Sequence, residues 1–268
     1  MLFHAANGQV NVDGECTDYI SFGKGGKNLI IIPGVGDGLK TVKGMALPFA
    51  FLYRELAKQF RVYVFSRPNN LNPDATTESM ADSLYRSMNA LHIASASVVG
   101  VSQGGMIAQY LAIKHPETVE KLVLAVTLSR PNPTVTNVID MWTEMAGKGD
   151  YKGIMLSTAE LSYTPRKARN AKLTYGLLGS VGKPKSFDRF LIQAGSCITH
   201  NAYERLDEIK CPTLIIGGTD DKIVTGEASK EIAERIPESE LCMYDGLGHG
   251  LYEEAGDFIR KVAGFCRT

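Results

Sequence analysis

The sequence predicts an α/β fold: a mostly parallel sheet with helices on both faces, interrupted once by an inserted helical block. Three observations predict it. Short β-branched runs alternate with helix-length amphipathic stretches over the first half of the chain. From Arg130 to about Arg205 the alternation stops and the pattern is mostly helical. It then resumes and runs to the C-terminus.

Each element follows from its residues. Residues 28–32 read as a strand buried on both faces, because no polar residue alternates within Leu29-Ile30-Ile31-Ile32. Residues 47–60 have helical spacing with Pro48 near the start, and 62–65 form the next strand. A helix over 77–91 can be capped by Thr76 or Thr77. Strand 97–101 leads into a helix over 104–114, which His115-Pro116 closes. Residues 121–128 form another strand. Within the inserted block, Pro165 and Pro184 mark helix starts. The tail supplies a strand at 212–216, a helix at 226–236, a strand at 241–244 and a last helix at about 252–266. Residues 1–129 and 206–268 are expected to form a core domain, with 130–205 as a helical cap.

Composition excludes several classes. The 268 residues carry 29 basic and 29 acidic side chains, which removes the usual electrostatic case for nucleic acid or an anionic membrane surface. No apolar run reaches the roughly 18 residues needed to span a bilayer. The start, Met1-Leu2-Phe3-His4, lacks the features of a secretion signal. Cysteines 16, 197, 211, 242 and 266 are scattered and never spaced as CxxC, so no disulfide framework or zinc site is expected and a cytoplasmic location is. Charge is uneven, however. The inserted block holds eleven cations against six carboxylates, a net +5. A solvated helical surface explains this; the sharper reading is a weak preference for anionic substrates.

The strongest chemical signal is Gly100-Val101-Ser102-Gln103-Gly104, where a strand must turn sharply into a helix. The G-x-S-x-G spacing keeps small residues where strand and helix would otherwise clash, and it lifts the serine hydroxyl clear of the sheet. A serine hydroxyl needs a base. Of five histidines, His249 is the best placed, in the Gly-rich turn Asp245-Gly246-Leu247-Gly248-His249-Gly250 after the last strand. Loops at the carboxyl ends of strands are where such sheets bind and transform ligands. His4, His92, His115 and His200 fit structural roles better. The base needs an acid to fix its tautomer. Asp220 and Asp221 both lie in the loop after 212–216, and their residue types alone leave the choice open.

These residues, in the order Ser…Asp…His, make the sequence resemble the α/β-hydrolase superfamily from Tyr19 to the last helix, most closely over 91–124. The resemblance implies an α/β-hydrolase fold and a Ser102–Asp221–His249 triad. Asp221-Lys222-Ile223-Val224-Thr225 matches the family's D-x-I-V-P except at Thr225, so the resemblance favours Asp221 over Asp220. The resemblance also implies an oxyanion hole from the backbone N–H groups of Gln103 and Val35. Two departures stand out. Pro33 replaces a histidine that usually braces the Val35 turn, and at 66–70 only Arg67 matches the usual pattern.

The expected function is a serine hydrolase acting on a small carboxylic ester or lactone. The alternatives are an acyltransferase, a thioesterase or a C–C bond hydrolase on the same fold, or a non-catalytic small-molecule receptor. A dinucleotide oxidoreductase is disfavoured: after Gly34-Val35-Gly36-Asp37-Gly38 the third glycine position holds Leu39 and no helix opens. Aromatics of the inserted block, Trp142 first among them, are candidates to line an apolar acyl pocket; packing between helices is the plainer role. The only partner expected is the small-molecule acyl substrate, and no metal or organic cofactor.

Overall fold

The structure, a computed structural model, describes residues 2–179 and 181–268. Its frame is a sheet of strands β1 (Ala6–Val12), β2 (Glu15–Phe22), β3 (Lys27–Ile32), β4 (Phe60–Pro68), β5 (Ala96–Val101), β6 (Val119–Ala125), β7 (Thr213–Gly218) and β8 (Ser239–Tyr244), in the spatial order β1-β2-β4-β3-β5-β6-β7-β8. Pairs β1·β2 and β2·β4 are antiparallel, and all the others are parallel. After β3 the chain builds β4 on one side and then crosses to build β5 on the other. The loops that leave β3 and β5 therefore flank a topological switch point at the carboxyl edge, where such sheets bind ligands.

Flanking helices are α1 (Ala46–Leu52), α2 (Arg54–Ala57), α3 (Thr77–Ala90) and α4 (Gln103–Lys114). Helices α5 (Pro133–Gly147), α6 (Tyr151–Ser162), α7 (Pro165–Leu178) and α8 (Asp188–Thr199) follow β6. Helices α9 (Gly226–Arg235), α10 (Leu251–Glu254) and α11 (Phe258–Arg267) come last. Alternating strand side chains feed opposite faces. Ile30, Ile32, Val98 and Leu124 pack with Met80 and Met88 of α3, Leu111 of α4 and Ile232 of α9. Leu29, Ile31, Val99 and Val123 pack with Ala50 of α1, Leu56 of α2 and Val262 of α11. This two-sided burial explains why the central strands read as unbroken apolar runs.

Helices α5–α8 are inserted between β6 and β7 and build a third cluster, in which Val135, Ile139, Trp142, Ile154 and Phe190 meet Met106 of α4. The insertion leaves and re-enters the core at one point, where the Ala202 N–H donates to the Ser129 carbonyl at 2.8 Å. Four expectations need correction. The 47–60 helix is two short helices, because the chain leaves helical geometry at Tyr53 (φ −99°, ψ 28°) and Phe60 is drawn into β4. The strand expected at 121–128 ends at Ala125, since Val126 turns into positive φ at 46°. The helix expected at Pro184 starts at Asp188, whose N–H is taken by Ser186 Oγ at 3.0 Å. The last helix is split between Glu254 and Phe258.

Candidate active site

Ser102 sits between β5 and α4 with φ 56° and ψ −122°, a conformation disfavoured for any side chain larger than hydrogen. Its neighbours show what sustains it. A Cβ on Gly104 would lie 1.9 Å from the Ile32 carbonyl oxygen, and one on Gly100 would lie 2.5 Å from the Gly104 oxygen. Strand β3, strand β5 and helix α4 thus meet without space for side chains, and the turn cannot relax. The kink presents the serine hydroxyl at the head of α4, where the first backbone N–H groups have no helical partner.

The loop after β8 brings His249 to this hydroxyl, with His249 Nε2 2.9 Å from Ser102 Oγ. On the other side of the ring, His249 Nδ1 is 2.9 Å from Asp221 Oδ2. A carboxylate only accepts, so Nδ1 carries the ring proton and Nε2 is left to accept from the serine O–H. Asp221 is held in turn by the Ile223 and Val224 N–H groups, which donate to its Oδ1 at 2.8 and 3.0 Å. Burial alone would raise the Asp221 carboxyl. Attraction to His249, its hydrogen bond and the two N–H donors outweigh burial and hold the group below the usual carboxylate range. Asp220 is exposed and is bonded by Thr219 Oγ1 at 3.3 Å. The acid and histidine loops lock together through Asp220 N–H to the Leu247 carbonyl at 3.0 Å, and Gly218 leaves room for that carbonyl.

The turn at 33–38 covers the serine. A Cβ on Gly34 would stand 3.2 Å from Ser102 Cβ, so Val35 follows directly on the close approach of this turn to the serine. Val35 opens a 3-10 turn and Gln103 opens α4, so neither N–H has a hydrogen-bond partner among the described residues. Pro33 offers no side-chain brace; its carbonyl accepts from Arg67 Nη2 instead. The sequence marks Arg67 as the residue at 66–70 that matches the family pattern but does not show that it braces this turn; the visible signal is a cation two residues after the apolar run 62–65, and it is buried.

The remaining candidates lie elsewhere. Trp142 is buried in the third apolar cluster and its indole N–H donates to Ser157 Oγ at 2.9 Å. His115 stacks on Tyr85 and pairs with Asp82, while His4 and His92 are exposed. His200 is buried, 2.9 Å from Thr77 Oγ1 and 3.4 Å from Gln109 Oε1, and burial pushes its pKa down to about 3. Among the described residues no group of three or more His, Cys, Asp or Glu side chains is arranged to hold a metal ion, and no helix is long and apolar enough to cross a membrane.

Residues 27–256 match the family described as the alpha/beta hydrolase fold. The chain belongs to this family. Several proteins resemble it at a distance. A protein of Caulobacter sp. (strain K31), provisionally named carbamate hydrolase RutD, is 27% identical over 203 residues, covering 73% of this chain and 76% of its own. The pimeloyl-[acyl-carrier protein] methyl ester esterase of Chromobacterium violaceum is 25% identical over 234 residues, covering 82% and 89%. Among solved structures, MGS-M2, an alpha/beta hydrolase enzyme from a Medee basin deep-sea metagenome library, superposes with a TM-score of 0.84 at 22% identity, covering 96% of each chain. At that identity the structural likeness speaks to the fold.

Proposed function

We propose that this alpha/beta hydrolase is a serine hydrolase acting on a small carboxylic ester or lactone through an acyl-serine intermediate. One observation carries the reading: the unbroken relay from Asp221 through His249 to Ser102, 2.9 Å at each joint, ending on a kinked backbone. In the reaction, His249 Nε2 takes the Ser102 proton as Oγ attacks the substrate carbonyl. The N–H groups of Gln103 and Val35 receive the developing oxyanion. His249 returns the proton to the leaving alcohol, and a water deprotonated by His249 then cleaves the acyl-serine. Asp221 fixes the ring and offsets its positive charge. These steps use no metal or organic cofactor. In a lactone the leaving alcohol stays tethered, so one hydroxy acid is released.

Residues 130–205 act in this reading as the cap. Its apolar cluster, which includes Trp142, reaches Val35 on the oxyanion side and Ile223 beside the acid, so it supplies an apolar wall for the acyl group. The names of the two relatives, a methyl ester esterase and a carbamate hydrolase, agree with attack at a carbonyl.

The test combines a fluorophosphonate probe with a short p-nitrophenyl ester. A single adduct on Ser102 by mass spectrometry, and a loss of several orders of magnitude in turnover for Ser102→Ala, are expected. Undiminished turnover by that variant would overturn the assignment.

A further inference from the structure

Behind the Val35 turn lies a buried charged cluster that the acyl-transfer steps leave unused. Asp37 is 4% exposed and Arg67 3% exposed. Arg189 reaches them from α8, at the far end of the inserted segment. Asp37 Oδ2 accepts from Arg189 Nη2 at 2.6 Å and from the Arg67 backbone N–H at 3.1 Å. The Arg189 guanidinium is otherwise committed to backbone, donating to the carbonyls of Asp37, Arg67 and Pro68. Helix α8 is also pressed against this turn: a Cβ on Gly38 would stand 2.6 Å from Phe190 Cα.

Arg67 connects the cluster to the site. Its Nη2 donates both to the Pro33 carbonyl, two residues before Val35, and to Gln103 Oε1 at 2.9 Å. The other end of the Gln103 side chain donates to α8, at the Gln193 carbonyl (2.7 Å) and Ser196 Oγ (3.0 Å). One guanidinium therefore ties Gln103 to Pro33, two residues before Val35, and so joins the two segments that carry the candidate oxyanion donors. Two guanidinium groups against one carboxylate also leave a net charge of +1 in the interior. Burial lowers the Arg67 pKa to about 10, opposed by Asp37, so the group stays charged at neutral pH. Its Nε and Nη1 have no hydrogen-bond partner among the described residues. An under-compensated buried cation is expensive, and a purely mechanical anchor would not require one.

We propose that Arg67, clamped by Asp37 and Arg189, is the positioning residue for both oxyanion donors and that its charge biases the site toward a tetrahedral anion over a planar carbonyl. The inference rests on the serine-hydrolase reading above. It also assigns the inserted segment a task beyond covering substrate, because Arg189 sets the clamp from α8.

The test compares two ligands of the same acyl length, an alkyl boronic acid that forms a tetrahedral anion on serine and a neutral planar amide. Arg67→Met is expected to lower kcat by about 10²-fold with KM little changed. It should weaken the boronic acid by a similar factor and leave the amide unaffected, while Arg67→Lys recovers part of both losses. If Arg67→Met does not fold, Arg189→Lys keeps the charge but loses the fork, and about a tenfold loss of kcat and boronic acid affinity is expected. Parallel weakening of boronic acid and amide, or unchanged kcat, overturns the proposal. If Ser102→Ala keeps turnover, the serine reading fails and this inference with it. If Ser102→Ala is inactive while Arg67→Met matches the parent protein, this inference fails alone.

Discussion

Two turns meet over Ser102 and are held by opposite means. The turn after β5 is fixed by contact: Gly100 and Gly104 let backbone touch backbone, and every participant except β3 lies within a few residues of the serine. The turn after β3 is fixed by polar contacts, from the guanidinium and backbone N–H of Arg67 about thirty residues downstream and from the Arg189 guanidinium about one hundred and fifty residues downstream. A turn locked by local packing is specified by its own short sequence. A turn locked by remote polar groups is specified only once the whole chain has folded.

The acid loop extends the comparison, because Asp221 is held locally by the N–H groups of Ile223 and Val224. Asp221→Asn should leave the loop in place but reverse the favoured histidine tautomer, lowering kcat by on the order of 10⁴-fold. Asp220→Asn, at an exposed position, should change kcat little. Steady-state kinetics on both variants checks this, and the opposite ranking would assign the acid to Asp220. The next largest effect separates the two turns directly. Gly104→Ala forces a methyl group into the Ile32 carbonyl and should cost about 3 kcal/mol or more, roughly 10 °C in Tm. Gly36→Ala, in the turn after β3, meets nothing within 4 Å and should stay within about 1 kcal/mol of neutral. Equal losses in calorimetry would erase the distinction drawn here.

The smallest effect concerns another remote polar pin, His200 against Thr77. Burial lowers its folded pKa from 6.5 to about 3, so between those values the unfolded chain binds a proton that the folded chain does not. Stability therefore rises with pH across this window and is lost as pH falls below 6.5, by about 2 kcal/mol at pH 5. His200→Gln should cost about 1 kcal/mol at pH 7.5 through the lost hydrogen bond, and the gap should close and then reverse toward pH 5. Urea melts at the two pH values measure it; parallel losses would show that His200 is not the titrating group.

The same division explains what was legible in the sequence. Central strands were readable because both faces are buried, and the Ser102 turn because its glycines have steric causes close by in the chain. The pair β1–β2 was missed because one face of β1 is exposed and its residues carry little apolar signal. The signal present was Asp13-Gly14, both at positive φ, which is two-residue hairpin chemistry. Residue type left Asp220 and Asp221 unresolved, since which of them meets His249 depends on how the backbone bends after β7. Of the two residues that brace the turn behind Pro33, Arg189 was out of reach, because it belongs to the part of the sequence with the least pattern. The excess of cations there reads as a solvated surface or a substrate preference. Surface pairing does hold for Lys167 with Glu253 and for Lys172 with Glu160, whereas Arg189 is spent on the buried Asp37.

The hydrogen bond between Ala202 and Ser129 makes a narrow neck for everything between them. Strands β6 and β7 pair in register below that neck without consulting the helices above it. The sheet can therefore keep its alignment whatever the length of that segment, but the Arg189 contact to Asp37 and the Gln193 carbonyl that accepts from Gln103 travel with α8, so a replacement segment has to bring equivalents of both or leave the turn after β3 unbraced.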